Sequence, residues 1–162
     1  MRKPLIQKLD EIPAREVIFG TIPVLSNKIQ VVVDKSMEKI TLKQWLLIIM
    51  IMQFEGGAPT LSEVASAMGS SRQNVKQLAL KLEQKGLLKI EKDQNDSRIV
   101  KLSVLPECMT MFEKQAEYER HFLELMYKDM NEEELEIIAR GMKKLVQNVI
   151  AIEDLLAEGK RI

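Results

Sequence analysis

The stretch from Thr60 to Ser103 constrains the fold most, because two helix starts, two helix stops and a hairpin follow one another there without spare residues. Thr60-Leu61-Ser62-Glu63 reads as a capping box: the threonine hydroxyl accepts from the Glu63 amide, and the glutamate reaches back to the Thr60 amide. Leu61, Val64, Ala65 and Met68 then share one helical face, and Gly69 stands where a left-handed residue must stop the helix. Ser70-Ser71 offers a second N-cap, after which Val75, Leu78, Ala79 and Leu82 recur at spacings of three and four until Gly86. Two short helices joined by a turn of about three residues form a helix-turn-helix.

The outer face of the second helix carries Arg72, Gln73, Asn74, Lys76, Gln77 and Lys81. Arginine forks onto guanine, and asparagine or glutamine pairs bidentately with adenine in the major groove. Such a stripe taken alone is usually just a solvated face. The residues that follow change the balance. Leu87 to Glu91 predicts a strand, Ser97 to Leu102 its partner, and Gln94-Asn95-Asp96 the turn between them. Helix, helix, hairpin is the order of a winged helix-turn-helix, and Lys92 with Arg98 at the hairpin tip supplies a second probe, suited to a narrow minor groove.

Three motifs in order, Gly69-Ser70-Ser71-Arg72-Gln73-Asn74-Val75, Leu82-Glu83-Gln84-Lys85-Gly86-Leu87, and Asp96-Ser97-Arg98 with Leu102-Ser103, resemble the core of the MarR family of bacterial transcription regulators. The resemblance extends over about residues 15 to 157, though its specific motifs lie in the reading unit. It implies a homodimer on double-stranded DNA, most often as a repressor, with the second helix in the major groove and the wing arginine, matched by Arg98, in the minor groove. The DNA-contact set is then Ser70, Ser71, Arg72, Gln73, Asn74, Lys76, Gln77, Lys81, Lys92 and Arg98. Asp96 matches an aspartate that steadies the wing through a basic partner. This chain departs from the pattern at Ile90 and Ser97, where arginine is frequent, and at Leu105-Pro106, which replaces the usual charged ending of the wing. The resemblance also implies a small aromatic or amphipathic effector held where the reading unit meets the dimer helices. Trp45, Met52, Phe54, Met109 and Phe112 are the candidates to line that pocket, and the competing reading makes them plain core.

Charge is permissive. The 24 basic and 24 acidic residues cancel, but residues 60–103 hold eight Lys and Arg against five Asp and Glu, while 104–162 hold eight against thirteen. The longest apolar run, Trp45 to Met52, ends at Gln53, well short of the ~20 residues of a membrane span. With no secretory signal apparent and a single cysteine, the expected compartment is the cytoplasm.

Catalysis or metal binding would need clustered His, Cys or carboxylates. The chain has His121, read as a partly buried packing residue, and Cys108, so no catalytic residue, metal ligand or cofactor is expected. Cys108 is a candidate redox switch, but Glu107 disfavours its thiolate and no second cysteine can resolve it. A winged helix that binds only protein would show an apolar surface where Arg72 to Gln77 lie.

Along the rest of the chain, residues 1–14, with Pro4 and Pro13, predict an irregular or partly helical arm. Ile18, Ile22, Leu25, Ile29 and Val32 mark an amphipathic helix, with a kink or break near Thr21 from Gly20 and Pro23. Thr41 caps a helix reaching about Phe54, and Pro106 opens one reaching about Lys128 with Met109, Phe112, Ala116, Leu123 and Met126 on its apolar side. Asn131 to Glu134 is another capping box. Leu135, Ile138, Met142, Leu145, Val149, Ile152 and Leu156 then form a heptad seam that needs a partner helix, from the same chain or a second one. The fold predicted is mainly α with a small β-hairpin wing: an N-terminal dimerisation arm and helix over 1–40, the winged helix-turn-helix over 41–103, and C-terminal dimerisation helices over 104–162, in one continuous unit.

Overall fold

Leu47, Ile48, Val64, Val75, Ala79, Leu82 and Leu102 lose all contact with solvent, and together they define the core on which the reading unit is built. The structure, a computed structural model, describes residues 9–161, so residues 1–8 of the expected arm lie outside it. Among these residues the order is a 3-10 turn at Leu9–Glu11, α1 (Ala14–Ser36), α2 (Leu42–Met52), α3 (Leu61–Ala67), α4 (Arg72–Gln84), β1 (Leu88–Lys92), β2 (Val100–Val104), α5 (Pro106–Met126) and α6 (Glu132–Ala157).

Local chemistry sets most of these boundaries. Thr41, Thr60 and Asn131 each form a reciprocal capping box, with Gln44, Glu63 and Glu134 respectively, and Ser71 caps α4 by accepting from the Asn74 amide. Three of the helices end in Schellman turns, α6 at Gly159 and the two that bound the reading unit as follows. At α3, Gly69 takes φ 56° while the Ser70 amide donates to the Ala65 carbonyl at 2.9 Å and the Gly69 amide to that of Ser66. At α4, Gly86 takes φ 69°, and the Leu87 amide donates to the Leu82 carbonyl at 3.0 Å while both side chains are buried.

The hairpin pairs Leu88 with Val104 through Lys92 with Val100, antiparallel. Residues before α3 extend it: Thr60 bridges Lys101, and the Leu102 amide donates to the Pro59 carbonyl at 2.9 Å. The wing is thereby joined to the start of the helix-turn-helix as well as to its end.

Several expectations need correction. Helix α1 runs unbroken through Gly20 and Pro23. A proline at that position removes one hydrogen bond, and Phe19, the residue four back, is 82% exposed, so its carbonyl can be solvated and the helix continues. The same helix is long and apolar enough, by length and composition, to cross a membrane, which counting uninterrupted apolar runs did not reveal. Its C-terminal end belongs to the reading unit: Val33 is buried and Asp34 accepts from the Leu42 amide at 2.7 Å.

On α5 the buried residues are Cys108 and Met111, whereas Met109 is 47% exposed. The Leu105 amide donates to the Leu87 carbonyl, which fixes the helix's rotational phase one residue away from that suggested by periodicity. The chain divides into two compact units, Met1–Phe112 and Glu113–Ile162. The first turns of α5 belong to the core of the first unit. No described residue beyond Met111 is buried, and along α6 the seam side chains Ile138, Met142, Leu145, Val149, Ile152 and Leu156 are 37–53% exposed, with Leu135 half-buried.

Gly86 gives a direct test of the turn that joins α4 to the wing. No atom lies within 4 Å of a Cβ built there, so Gly86→Ala meets only the left-handed backbone penalty. Chemical denaturation should show a loss of about 1 kcal/mol with an unchanged m-value; full retention of stability would mean the turn readily relaxes to another conformation.

Candidate nucleic-acid interface

Helix α4 can present a polar face because its opposite face is committed to the core. Val75, Ala79 and Leu82 are fully buried and Leu78 is half-buried, which turns Arg72, Gln73, Lys76, Gln77 and Lys81 out to solvent. The orientation is held at both ends. Ser71 caps the N-terminus, and at the C-terminal end the Glu83 carboxylate accepts from the Ile90 amide at 2.8 Å, joining α4 to β1. Lys85 donates to the Lys39 carbonyl and to the Gln44 side-chain oxygen, which ties the same end to the residues around the α2 cap. Gln44 is the one buried polar residue among those described, and its oxygen also accepts from the Thr41 amide.

Ser70, Ser71 and Asn74 form the N-terminal clasp of this helix. The Asn74 side-chain amide donates to the Ser70 hydroxyl at 2.9 Å, while its backbone amide donates to Ser71. A bidentate contact with adenine needs the Asn74 amide nitrogen as donor, so reading a base would require it to leave Ser70. Arg72, Gln73 and Gln77 have no such engagement among the described hydrogen bonds.

The wing is built differently from the expectation. Ser97, Arg98 and Ile99 belong to the loop between the strands, not to β2. Asp93 organises that loop: its Oδ1 accepts from the Asn95 amide at 2.9 Å and from the Asp96 amide at 3.2 Å, and its Oδ2 meets Lys101 Nζ at 2.6 Å. The Asp93 amide donates to the Ile99 carbonyl and the Ile99 amide to that of Asp96, closing the loop. Asp96 accepts from the Arg98 amide at 2.9 Å. The basic partner that the resemblance assigned to Asp96 is therefore held by Asp93, and Asp96 supports the wing through backbone bonding alone. Asp93 was not singled out in the sequence, although an aspartate two residues before an asparagine in a turn is an Asx-turn signal.

Arg98 is exposed in this loop and Lys92 is exposed at the end of β1. Among the described residues, Arg72, Lys76, Lys81, Lys92 and Arg98 take part in none of the ion pairs, whereas Lys89 and Lys101 are paired with Glu91 and Asp93 at 2.6 Å. Five cations are thus free to meet phosphate on this surface.

The remaining candidates fall elsewhere. Trp45, Phe54 and Phe112 are partly buried against the core, while Met52 is 44% exposed and Met109 lies outside the core. Cys108 is fully buried, and burial pushes its thiol pKa up, so the properties a redox switch needs, exposure and a ready thiolate, are both lacking. His121 is an exposed side chain facing Glu124 at 3.6 Å rather than a packing residue. No group of three or more His, Cys, Asp or Glu suited to a metal ion occurs among the described residues.

Comparison with known proteins agrees with this geometry. Residues 39–99 match the sequence profile of the MarR family. No curated protein matches the chain by sequence. Among solved structures, a MarR/EmrR family transcriptional regulator from Acinetobacter sp. ADP1 superposes with a TM-score of 0.70 at 16% identity, covering 86% of this chain and 99% of that one. The Staphylococcus aureus MepR–DNA complex gives 0.66 at 20% identity over 80% and 95%. Bordetella bronchiseptica BpsR, whose DNA binding is regulated by 6-hydroxynicotinic acid, gives 0.66 at 18% identity over 79% and 98%. At these identities the likeness is one of fold.

The Asp93 carboxyl provides a test of the wing geometry. Lys101 first, then the Asn95 and Asp96 amides, lower its pKa to about 2. Because the folded value lies below the unfolded one of about 3.9, the stabilisation is complete above roughly pH 4 and is lost as pH falls towards 2. Carboxyl-carbon NMR titration should place the Asp93 midpoint near 2, with the Asn95 and Asp96 amides moving in step; a midpoint at the ordinary aspartate value would mean that the loop is not held this way.

Proposed function

We propose that this chain, whose residues 39–99 match the MarR family profile, is a sequence-specific transcriptional regulator of that family, a repressor that binds a pseudo-palindromic operator as a homodimer in the cytoplasm. The observation that carries the reading is a helix locked at both ends whose outward face offers Arg72, Gln73, Lys76, Gln77 and Lys81, followed by a loop that presents Arg98. The first set suits base edges and phosphates of a major groove, and the second a narrow minor groove. The structural neighbour solved with DNA supports the same use of the fold. A small apolar or phenolic effector that releases DNA fits the neighbour regulated by 6-hydroxynicotinic acid, with Trp45, Met52, Phe54, Met109 and Phe112 as the residues to probe first. Such a ligand can release DNA only by preferring the non-binding arrangement, however tightly it binds.

The dimer is assigned to the terminal helices. The seam Leu135, Ile138, Met142, Leu145, Val149, Ile152 keeps to heptad spacing over six residues, and none of them is buried within the chain. A second copy of the same helix is the self-complementary partner that two-fold symmetry provides.

Two measurements test these assignments. In binding assays across salt concentrations, half-sites about 10 bp apart should bind best. Gln73→Ala should relax discrimination at particular base pairs by about 1–3 kcal/mol, whereas Arg98→Ala should weaken binding on all sequences and reduce the preference for a narrow minor groove. Equal losses for both variants on every sequence would contradict the division of roles. In sedimentation, Leu145→Glu should be monomeric or unfolded because it strands a charge in the seam; an intact dimer would place the interface elsewhere.

A further inference from the structure

Four of the six bonds that shape the wing loop converge on one residue, Asp93. Asp93 accepts two loop amides, holds Lys101 at 2.6 Å and, through its own amide, fixes the Ile99 carbonyl on the far side of Arg98. Asp96, whose amide is one of those two, in turn accepts from the Arg98 amide. We propose that Asp93 is the positioning residue that presents Arg98 to the minor groove, and that Lys101 is a structural cation of the wing rather than a DNA contact. This assignment rests on the DNA-binding reading above.

The sign of the effect separates positioning from simple electrostatics. Asp93 is an anion on a surface that would face phosphate. If its charge were all that mattered, removing it would strengthen binding, since one repulsion with the DNA disappears and Lys101 is released to pair with a phosphate. If it positions Arg98, removing it weakens binding, because the loop loses its amide acceptors and the arginine must be ordered on contact. The two accounts predict opposite directions.

The test uses the full chain and two duplexes of equal length, one an A-tract with a narrow minor groove and one rich in G·C. Binding is followed by fluorescence anisotropy at several salt concentrations. Asp93→Ala should bind the A-tract more weakly than wild type and lose preference for it, with the slope of log K against log salt reduced by about one, as for Arg98→Ala. The Asp93→Ala, Arg98→Ala double variant should be no weaker than Arg98→Ala alone. Asp93→Asn keeps an acceptor for the Asn95 and Asp96 amides and should fall between wild type and Asp93→Ala, and Lys101→Met should leave the salt slope unchanged. In the DNA-free protein, heteronuclear NOEs of Asn95, Asp96 and Arg98 should drop in Asp93→Ala while those of α4 stay the same.

Unchanged or tighter binding by Asp93→Ala, losses that multiply in the double variant, or unchanged NOEs would each overturn the assignment. Wild-type protein that bound neither duplex would overturn the DNA reading itself, and the assignment with it, so the two failures are distinguishable.

Discussion

A helix that turns a polar face to solvent must keep its other face closed, and here that constraint falls on Val75, Ala79 and Leu82. Their complete burial sets the rotation of α4 about its own axis. Full burial of a leucine contributes roughly 1.5–3 kcal/mol, which outweighs any single surface contact on the helix. Val75 and Ala79 are small, so the helix can lie close over α2 and α3, and Leu82 anchors its end beside the wing. Every outward-pointing residue from Arg72 to Lys81 takes its direction from those three positions.

Burial fixes rotation but leaves the helix free to slide or tilt, and polar bonds at the ends supply what it lacks. Glu83 to the Ile90 amide, Lys85 to Gln44 and the Leu102 amide to Pro59 connect α4, α2, the start of α3 and both strands. Each such bond has a net value of only about 1 kcal/mol, so the set adds less stability than the core does. Its effect is orientational: hydrogen bonds are directional where apolar contact is not. Gln44 illustrates this. A buried amide is costly unless bonded, and its oxygen accepts both from the Thr41 amide at the cap of its own helix and from Lys85 at the end of α4, which joins the two elements.

The features legible in the sequence were those that depend on neighbours within a few residues. The capping boxes at Thr60 and Asn131 and the stops at Gly69 and Gly86 are local, so reading the chain placed them correctly. The misplacements have tertiary causes. Helix α5 took its phase from the Leu105 to Leu87 bond, which buries Cys108 and Met111 instead of Met109. The strand expected from Ser97 began three residues later because Asp93 drew the intervening amides into a loop. Helix α1 continued through Pro23 because its exposed side tolerates a missing hydrogen bond. At the candidate site, the polar face of α4 was legible because it is the complement of a periodic apolar face. Asp93 was not, because its importance comes from what converges on it in space.

The two units differ in what a single chain can satisfy. The first holds the whole core, whereas no described residue of α6 is buried, and Ile138, Met142, Val149 and Ile152 keep 39–53% of their surface exposed. Association has an estimated cost of about 4–15 kcal/mol. Apolar burial contributes ~25 cal/mol per Å², so roughly 80 Å² from each of two helices offsets the lower end of that range and roughly 300 Å² from each the upper. If a second copy supplies this cover, order in the C-terminal unit and dimerisation become one equilibrium, governed by protein concentration. The reading unit would remain folded on its own core throughout. Affinity for a two-half-site operator would then fall on dilution through loss of the second reading head, while the contacts made by each α4 and wing stayed as they are.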